Sequence, residues 1–136
     1  MDGCVFCEIV SGRTAAHRVL DEPEGVAFLD TRPLIKGHVL LVPRRHHETL
    51  TDVPPELLGP LFTLAQRLAG AVQRGTGAAG TFVAMNNKVS QSVPHLHVHV
   101  VPRDRGDGLK GFFWPRHAYD SDEEAAAHAE RIRAAL

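Results

Sequence analysis

The chain of 136 residues predicts an α+β fold: a five-stranded antiparallel sheet with one long helix on a face and a short helix at the N-terminus. Three observations predict it. The short, β-branched apolar runs are separated by turn residues, which suits antiparallel neighbours. One stretch alone holds a long apolar period of 3.6 residues. One run, His95-Leu96-His97-Val98-His99-Val100-Val101, alternates strictly, as a half-buried strand does. The length suits a single domain, residues 1–136, with one core.

The elements follow in order. Phe6-Cys7-Glu8-Ile9-Val10 reads as a short helical turn, ended by Ser11-Gly12. Residues 17–21 and 26–29 read as strands joined by the turn Glu22-Pro23-Glu24-Gly25. Residues 37–42 make a third, strongly apolar strand stopped by Pro43. The long helix comes next. Thr51 or Asp52 can cap it, and Pro54-Pro55 suits its first turn. Leu57, Leu58, Leu61, Leu64, Ala65, Leu68 and Val72 keep helical spacing, and Gly75 or Gly77 ends it. Residues 81–85 form a fourth strand, the histidine run a fifth, and residues 122–135 a C-terminal helix.

Composition narrows the function. A formal net charge of -1 gives no global field for nucleic acid or a membrane surface. No apolar run is long enough to span a bilayer. Asp2-Gly3-Cys4 has neither the basic nor the apolar region of a signal peptide, so the expected compartment is the cytoplasm. Two cysteines in a reducing compartment argue against a structural disulfide. The compositional excess is in histidine, of which there are nine.

Three of those histidines carry the strongest chemical signal. On a strand, His95, His97 and His99 share one face, while Leu96, Val98 and Val100 face the core. Imidazole serves as metal ligand, acid, base or nucleophile near neutral pH. Cys4-Val5-Phe6-Cys7 has a spacing used for zinc or for redox chemistry. A redox motif belongs at the start of a helix after a strand, and nothing strand-like precedes Cys4. Two histidines would complete a closed Cys₂His₂ zinc set. The candidates are His95 and the pair His46-His47. Two buried cysteines acting as small hydrophobes are the alternative.

Gln91-Ser92-Val93-Pro94-His95-Leu96-His97-Val98-His99-Val100-Val101-Pro102-Arg103 resembles the signature of the histidine triad (HIT) family. Phe6–Val10 resembles the family's opening helix. Val26-Ala27-Phe28-Leu29-Asp30 and Gly37-His38-Val39-Leu40-Leu41-Val42-Pro43-Arg44-Arg45-His46 resemble its first half in order and spacing. The resemblance covers about residues 4–103 and is nearest to a Hint-like bacterial branch retaining the zinc cysteines. Residues 104–136 form a C-terminal loop and helix outside it.

The resemblance implies the HIT-like fold as a two-fold dimer, and an enzyme acting on a purine nucleotide or nucleotide conjugate. It implies His97 as the nucleophile that attacks the α-phosphorus, with His99 and Ser92 on the phosphate. Asn86 and Gln91 match polar residues around phosphate and ribose. Asp30 matches the acid that binds the ribose hydroxyls. Phe6, Ile9 and Phe28 match the apolar walls of the base pocket. His95 matches a triad histidine that ligates structural zinc with His46, Cys4 and Cys7. A leaving group needs a proton, from Ser92 or a charged His99.

This chain departs from the best-known Hint proteins, which lack both cysteines. It carries a short Asn87-Lys88-Val89-Ser90 loop where they have a longer glycine-rich one, and Pro94 where they have an aromatic. Phe112, Phe113 and Trp114 suggest an interface or ligand wall near the C-terminus. The expected function is hydrolysis of a nucleoside phosphoramidate or related conjugate through a nucleotidyl-histidine intermediate. The alternatives are a nucleotidyltransferase or phosphorylase acting on dinucleoside polyphosphates, and a largely non-catalytic nucleotide-binding module.

Overall fold

Five short strands and three helices make up residues 3–110 and 116–136, which are the residues described in a computed structural model. In chain order they are α1 (Val5–Val10), β1 (Arg18–Asp21), β2 (Gly25–Leu29), β3 (Val39–Pro43), α2 (Pro55–Thr76), β4 (Gly80–Ala84), β5 (Val98–Arg103) and α3 (Asp122–Ala134). The sheet order is β1-β2-β3-β5-β4, with every neighbouring pair antiparallel. The expected five-stranded antiparallel sheet is the one observed.

Residue parity sorts the side chains between two layers. Ala27, Val39, Leu41, Val98 and Val100 face α2 and pack with its Leu61, Leu64, Ala65, Leu68 and Val72. Val26, Phe28, Leu40 and Val42 face the other way and pack with Cys4, Phe6 and Ile9 of the α1 segment. Both faces of β3 are therefore covered, and all five of its residues are buried. A strand buried on both sides reads as a continuous apolar run, as residues 39–43 do. Each buried leucine of this core contributes about 2–5 kcal/mol over alanine.

The long helix starts later than its sequence suggests. Thr51 and Asp52 do not cap it. Residues Leu50–Asp52 form a separate 3₁₀ turn with a capping box between Thr49 and Asp52. The Thr49 N–H donates to Asp52 Oδ2 at 2.9 Å. Pro54 is the N-cap of α2 instead, and Gly77, in the left-handed region at φ 73°, ends it.

The histidine run also pairs later than expected. Only its second half is strand, because β5 begins at Val98. Leu41 lies opposite Val98, so Leu96 comes level with Pro43, which has no N–H to give the ladder. The Leu96 N–H donates to the His47 carbonyl at 2.7 Å, and the His95 N–H to the Val93 carbonyl at 2.8 Å, so His95 sits in a bend ahead of β5. Leu96, Val98 and Val100 are wholly buried, as the alternation requires.

Candidate active site and metal centre

The face of β5 opposite α2 is the α1 face, and the histidines turn into it. His95 and His97 are buried and His99 half-buried. Cross-strand register then brings in a fourth imidazole. Leu40 lies opposite His99, and His38, two residues before Leu40, shares its face. His38 Nε2 stands 2.9 Å from His99 Nδ1.

Hydrogen-bond partners assign the ring nitrogens one at a time. His97 Nδ1 lies 2.8 Å from the His95 carbonyl. A carbonyl can only accept, so Nδ1 carries the proton and Nε2 keeps its lone pair. The Leu34 N–H donates to His38 Nδ1 at 3.2 Å, which leaves the His38 proton on Nε2. That N–H donates to His99 Nδ1, so His99 carries its own proton on Nε2. Burial pushes the His99 imidazole down to about 4, with further lowering from His97 and His38. Burial lowers His38 as well, against the opposing pull of Asp30, whose Oδ2 is 3.7 Å from His38 Nδ1. A charged His99 proton relay, expected above, does not fit this environment. Burial favours the neutral form of His99, and the hydrogen bond from His38 favours its proton on Nε2.

A cavity of about 350 Å³ opens on this face, lined by Phe6, Ile9, Phe28, Asp30, Ser92, His97 and His99 among others. That size is in the range of small-ligand pockets. The Phe6 ring meets Phe28 edge-on at 5.5 Å and His97 at 5.0 Å, so α1 supplies the apolar wall directly beside the central imidazole. Asp30 also shapes the chain locally. Its Oδ1 accepts the Arg32 N–H at 2.8 Å, fixing the turn after β2.

Two residues expected at the same cavity lie elsewhere. Asn86 borders an adjoining cavity with Asp30, His38 and His99, and its Nδ2 donates to the Ser90 carbonyl at 3.2 Å. Gln91 ties two loops together: Oε1 accepts the Lys88 N–H at 2.8 Å, and Nε2 donates to the Glu48 carbonyl at 2.6 Å. These clamps hold Lys88 and Ser90 at φ 70° and 62°, a region costing a non-glycine residue about 1–2 kcal/mol.

The other end of the histidine run meets the cysteines. Cys4 is the N-cap of α1, which aims its sulfur and that of Cys7 back toward His95. The Sγ and Nδ1 atoms of Cys4, Cys7, His46 and His95 all lie within 4.8 Å of one another. His95 Nδ1 is 3.4 Å from Cys4 Sγ and 3.5 Å from Cys7 Sγ, and His46 Nδ1 is 3.3 Å from Cys7 Sγ. A tetrahedral ion with ordinary Zn–S and Zn–N bonds puts such S···N edges at about 3.6 Å. His95 Nε2 donates to the Pro43 carbonyl at 3.0 Å, leaving Nδ1 free to ligate, as the outer hydrogen bond of a metal-bound histidine does. Burial pushes His95 down to about 4, so it is in the neutral form a metal needs. The set fits a closed four-ligand metal centre. His47, the competing candidate, lies outside it: its Nε2 is buried with no hydrogen-bond partner among the described residues.

His38 is the site residue that sequence reasoning missed. Its signal was parity: residues 38, 40 and 42 share a face of the strand that neighbours the histidine strand. Phe112, Phe113 and Trp114 lie outside the described residues. No helix among those residues is long and apolar enough to cross a membrane.

A family model described as HIT domain matches residues 11–106. The adenosine 5′-monophosphoramidase HNT1 of Saccharomyces cerevisiae is 33% identical over 131 residues, covering 95% of this chain and 80% of the yeast protein. A crystal structure of a HIT family member from Bacillus subtilis superposes with TM-score 0.90 at 31% identity, covering 99% of this chain and 98% of the other. A Zn-bound histidine triad family protein from Mycobacterium smegmatis superposes with TM-score 0.74 at 36% identity, covering 98% of each chain.

Proposed function

Because the chain belongs to the HIT family, we propose that it is a nucleotide hydrolase that cleaves a nucleoside phosphoramidate, or a related conjugate, at the α-phosphorus through a nucleotidyl-His97 intermediate. One observation carries this reading: His97 holds its proton on the side of the His95 carbonyl and presents a bare Nε2 in a cavity that also contains Ser92, His99 and Asp30. The yeast relative's activity is of the same class.

The residues have separate roles in this reading. Phe6, Ile9 and Phe28 sandwich the base, and Asp30 accepts from the ribose hydroxyls. Asn86, bordering the adjoining cavity, and Gln91, through the loop it clamps, complete the polar surroundings. His97 Nε2 forms a bond to phosphorus as the bond from phosphorus to the leaving nitrogen breaks. Covalent catalysis divides one hard displacement in two. The Nε2–H of His99 donates to a phosphoryl oxygen, and such aimed donors are the largest contribution in phosphoryl transfer. The Ser92 hydroxyl gives its proton to the departing nitrogen. Water then attacks phosphorus, the bond to His97 breaks, and a proton from that water restores Ser92. His38 is a positioning residue: it fixes which His99 nitrogen faces the phosphate.

Our reading of the metal is structural zinc on Cys4, Cys7, His46 and His95. Four protein ligands leave no open position for water. When bound, zinc joins the N-terminus to the start of the histidine run and so steadies Phe6 and His97. Two free cysteines in such a pair suit a reducing, cytoplasmic compartment. In this reading the active unit is a two-fold homodimer. Light scattering tests this, since a fully active monomer refutes it.

Incubation with adenosine 5′-phosphoramidate should release AMP, and rapid quenching should leave adenylate on His97, visible by mass spectrometry. Release of a phosphorylated product only when phosphate is added would identify a phosphorylase instead. Binding of AMP with no turnover of any conjugate would leave a nucleotide-binding module.

A further inference from the structure

A second cavity, of about 470 Å³, lies against the first, and the two share Val5, Ser92 and Val93. His97 and His99 line the first cavity but not the second. Ser92 stands between the two. The second cavity is lined by Gly3, Val5, Val93 and Pro94, by Cys4 and His46 of the metal set, and by Ser92 and Glu48 as its remaining polar groups. Among the described residues that line it, Glu48 is the one carboxylate and none is a lysine or arginine.

We propose that this cavity is the leaving-group subsite of the same active site and that it favours amines carrying a second, cationic group. The inference rests on the hydrolase reading above. In-line displacement at phosphorus puts the leaving group opposite the nucleophile. A nucleotide seated against His97 with its leaving nitrogen at Ser92 therefore points its remaining atoms past Ser92, where this cavity begins. The Val5, Val93 and Pro94 walls suit a short hydrocarbon chain. The Glu48 carboxylate suits an ammonium at its far end.

The backbone around Glu48 is held in place. Gln91 Nε2 binds the Glu48 carbonyl at 2.6 Å, and the adjacent Thr49 N–H binds Asp52. The adjacent His47 carbonyl takes the Leu96 N–H at 2.7 Å. The chain on both sides of Glu48 is thus tied down, in part to the loop that carries Ser92. Its carboxylate, by contrast, makes no hydrogen bond or ion pair with the described residues.

The test uses three adenosine 5′-phosphoramidates of matched chain length, made from butylamine, 1,4-diaminobutane and 4-aminobutanoate. Wild-type kcat/KM should fall in the order ammonium, methyl, carboxylate, with steps of about three- to fivefold, the size of a partly exposed ion pair. The steps should shrink in high salt. Glu48→Gln should bring the three values together, and Glu48→Lys should favour the carboxylate. Dissociation constants of the same conjugates for the His97→Asn protein give an independent reading that needs no turnover. If no conjugate is hydrolysed, the hydrolase reading fails, while those binding ratios still decide the subsite. Equal values across the three conjugates in the wild type, or an order that survives in Glu48→Gln, overturn the proposal.

Discussion

His95 and His97 are two residues apart and both buried, yet they use opposite nitrogens. His95 gives its Nε2 proton to the Pro43 carbonyl and turns Nδ1 to the sulfurs. His97 gives its Nδ1 proton to the His95 carbonyl and turns Nε2 to the cavity. One end joins a cluster of four groups that could hold a metal ion, and the other opens on a pocket. The same side chain on the same short run becomes a candidate ligand or a candidate nucleophile according to which carbonyl it meets. His99 is a third case: His38 binds its Nδ1, and it can only donate from Nε2.

The sharpest way to break this contrast is to delete the central imidazole. His97→Ala should lower kcat by about 10⁴-fold or more, as nucleophile deletions do, while the dissociation constant for AMP changes by only a few-fold. A few-fold loss of kcat would sink the nucleophile assignment. Metal content should be unchanged in this variant.

Damage at the other end should show the reverse pattern. Cys4→Ser, or removal of metal by a chelator, should lower Tm by about 5 °C or more, because a kcal/mol is worth a few degrees in a domain of this size. Substrate affinity should fall less. Elemental analysis should find one zinc per chain in the wild type, much less in His46→Ala, and a full complement in His47→Ala. Equal loss in both histidine variants would mean that the ligand set is wrong.

His38→Phe tests the nitrogen assignment itself. It leaves the His99 ring in place but removes the donor to its Nδ1. The expected loss in kcat/KM is about 10–100-fold, typical of a residue acting through its neighbour, with metal content intact. His38→Gln, which can still donate, should recover part of it. If His38→Phe and His38→Gln behave alike, His38 serves packing alone.

The smallest effect is on stability against pH. The folded His99 sits near 4, below its unfolded value of 6.5. Between those values the unfolded chain binds the extra proton, so stability rises with pH there. The contribution is present above about pH 6.5 and is lost as pH falls toward 4. Denaturant midpoints measured at pH 7 and pH 5 should therefore drop on acidification, and less so in His99→Asn. An identical drop would remove His99 from the account.

The two ends of the site were unequally legible in the sequence. Alternation over residues 95–101 puts the histidines on one face, and that much was local. The strand boundary was not, because it depends on Pro43 coming level with Leu96 across the sheet. The C-x-x-C spacing suggested a metal set, but nothing in the pair His46-His47 chose between two adjacent imidazoles. The chain path after β3 chose, bringing His46 Nδ1 to Cys7 and leaving His47 aside. The hydrogen bonds of Gln91 were illegible for a related reason: its carbonyl partner belongs to Glu48, in a different loop.

The sequence alone determined the α+β class, the order of elements, the core parity of Leu96, Val98 and Val100, and the residue types available for chemistry. These depend on spacing within one segment, where backbone geometry repeats every two or 3.6 residues. The tertiary structure alone decided which nitrogen each histidine exposes, that His38 stands behind His99, and that a second cavity begins at Ser92. Each of these depends on a partner far away in the chain: 61 residues separate His38 from His99, and 52 separate Pro43 from His95. A hydrogen bond at that separation is fixed by strand register and loop path, and no local period encodes either.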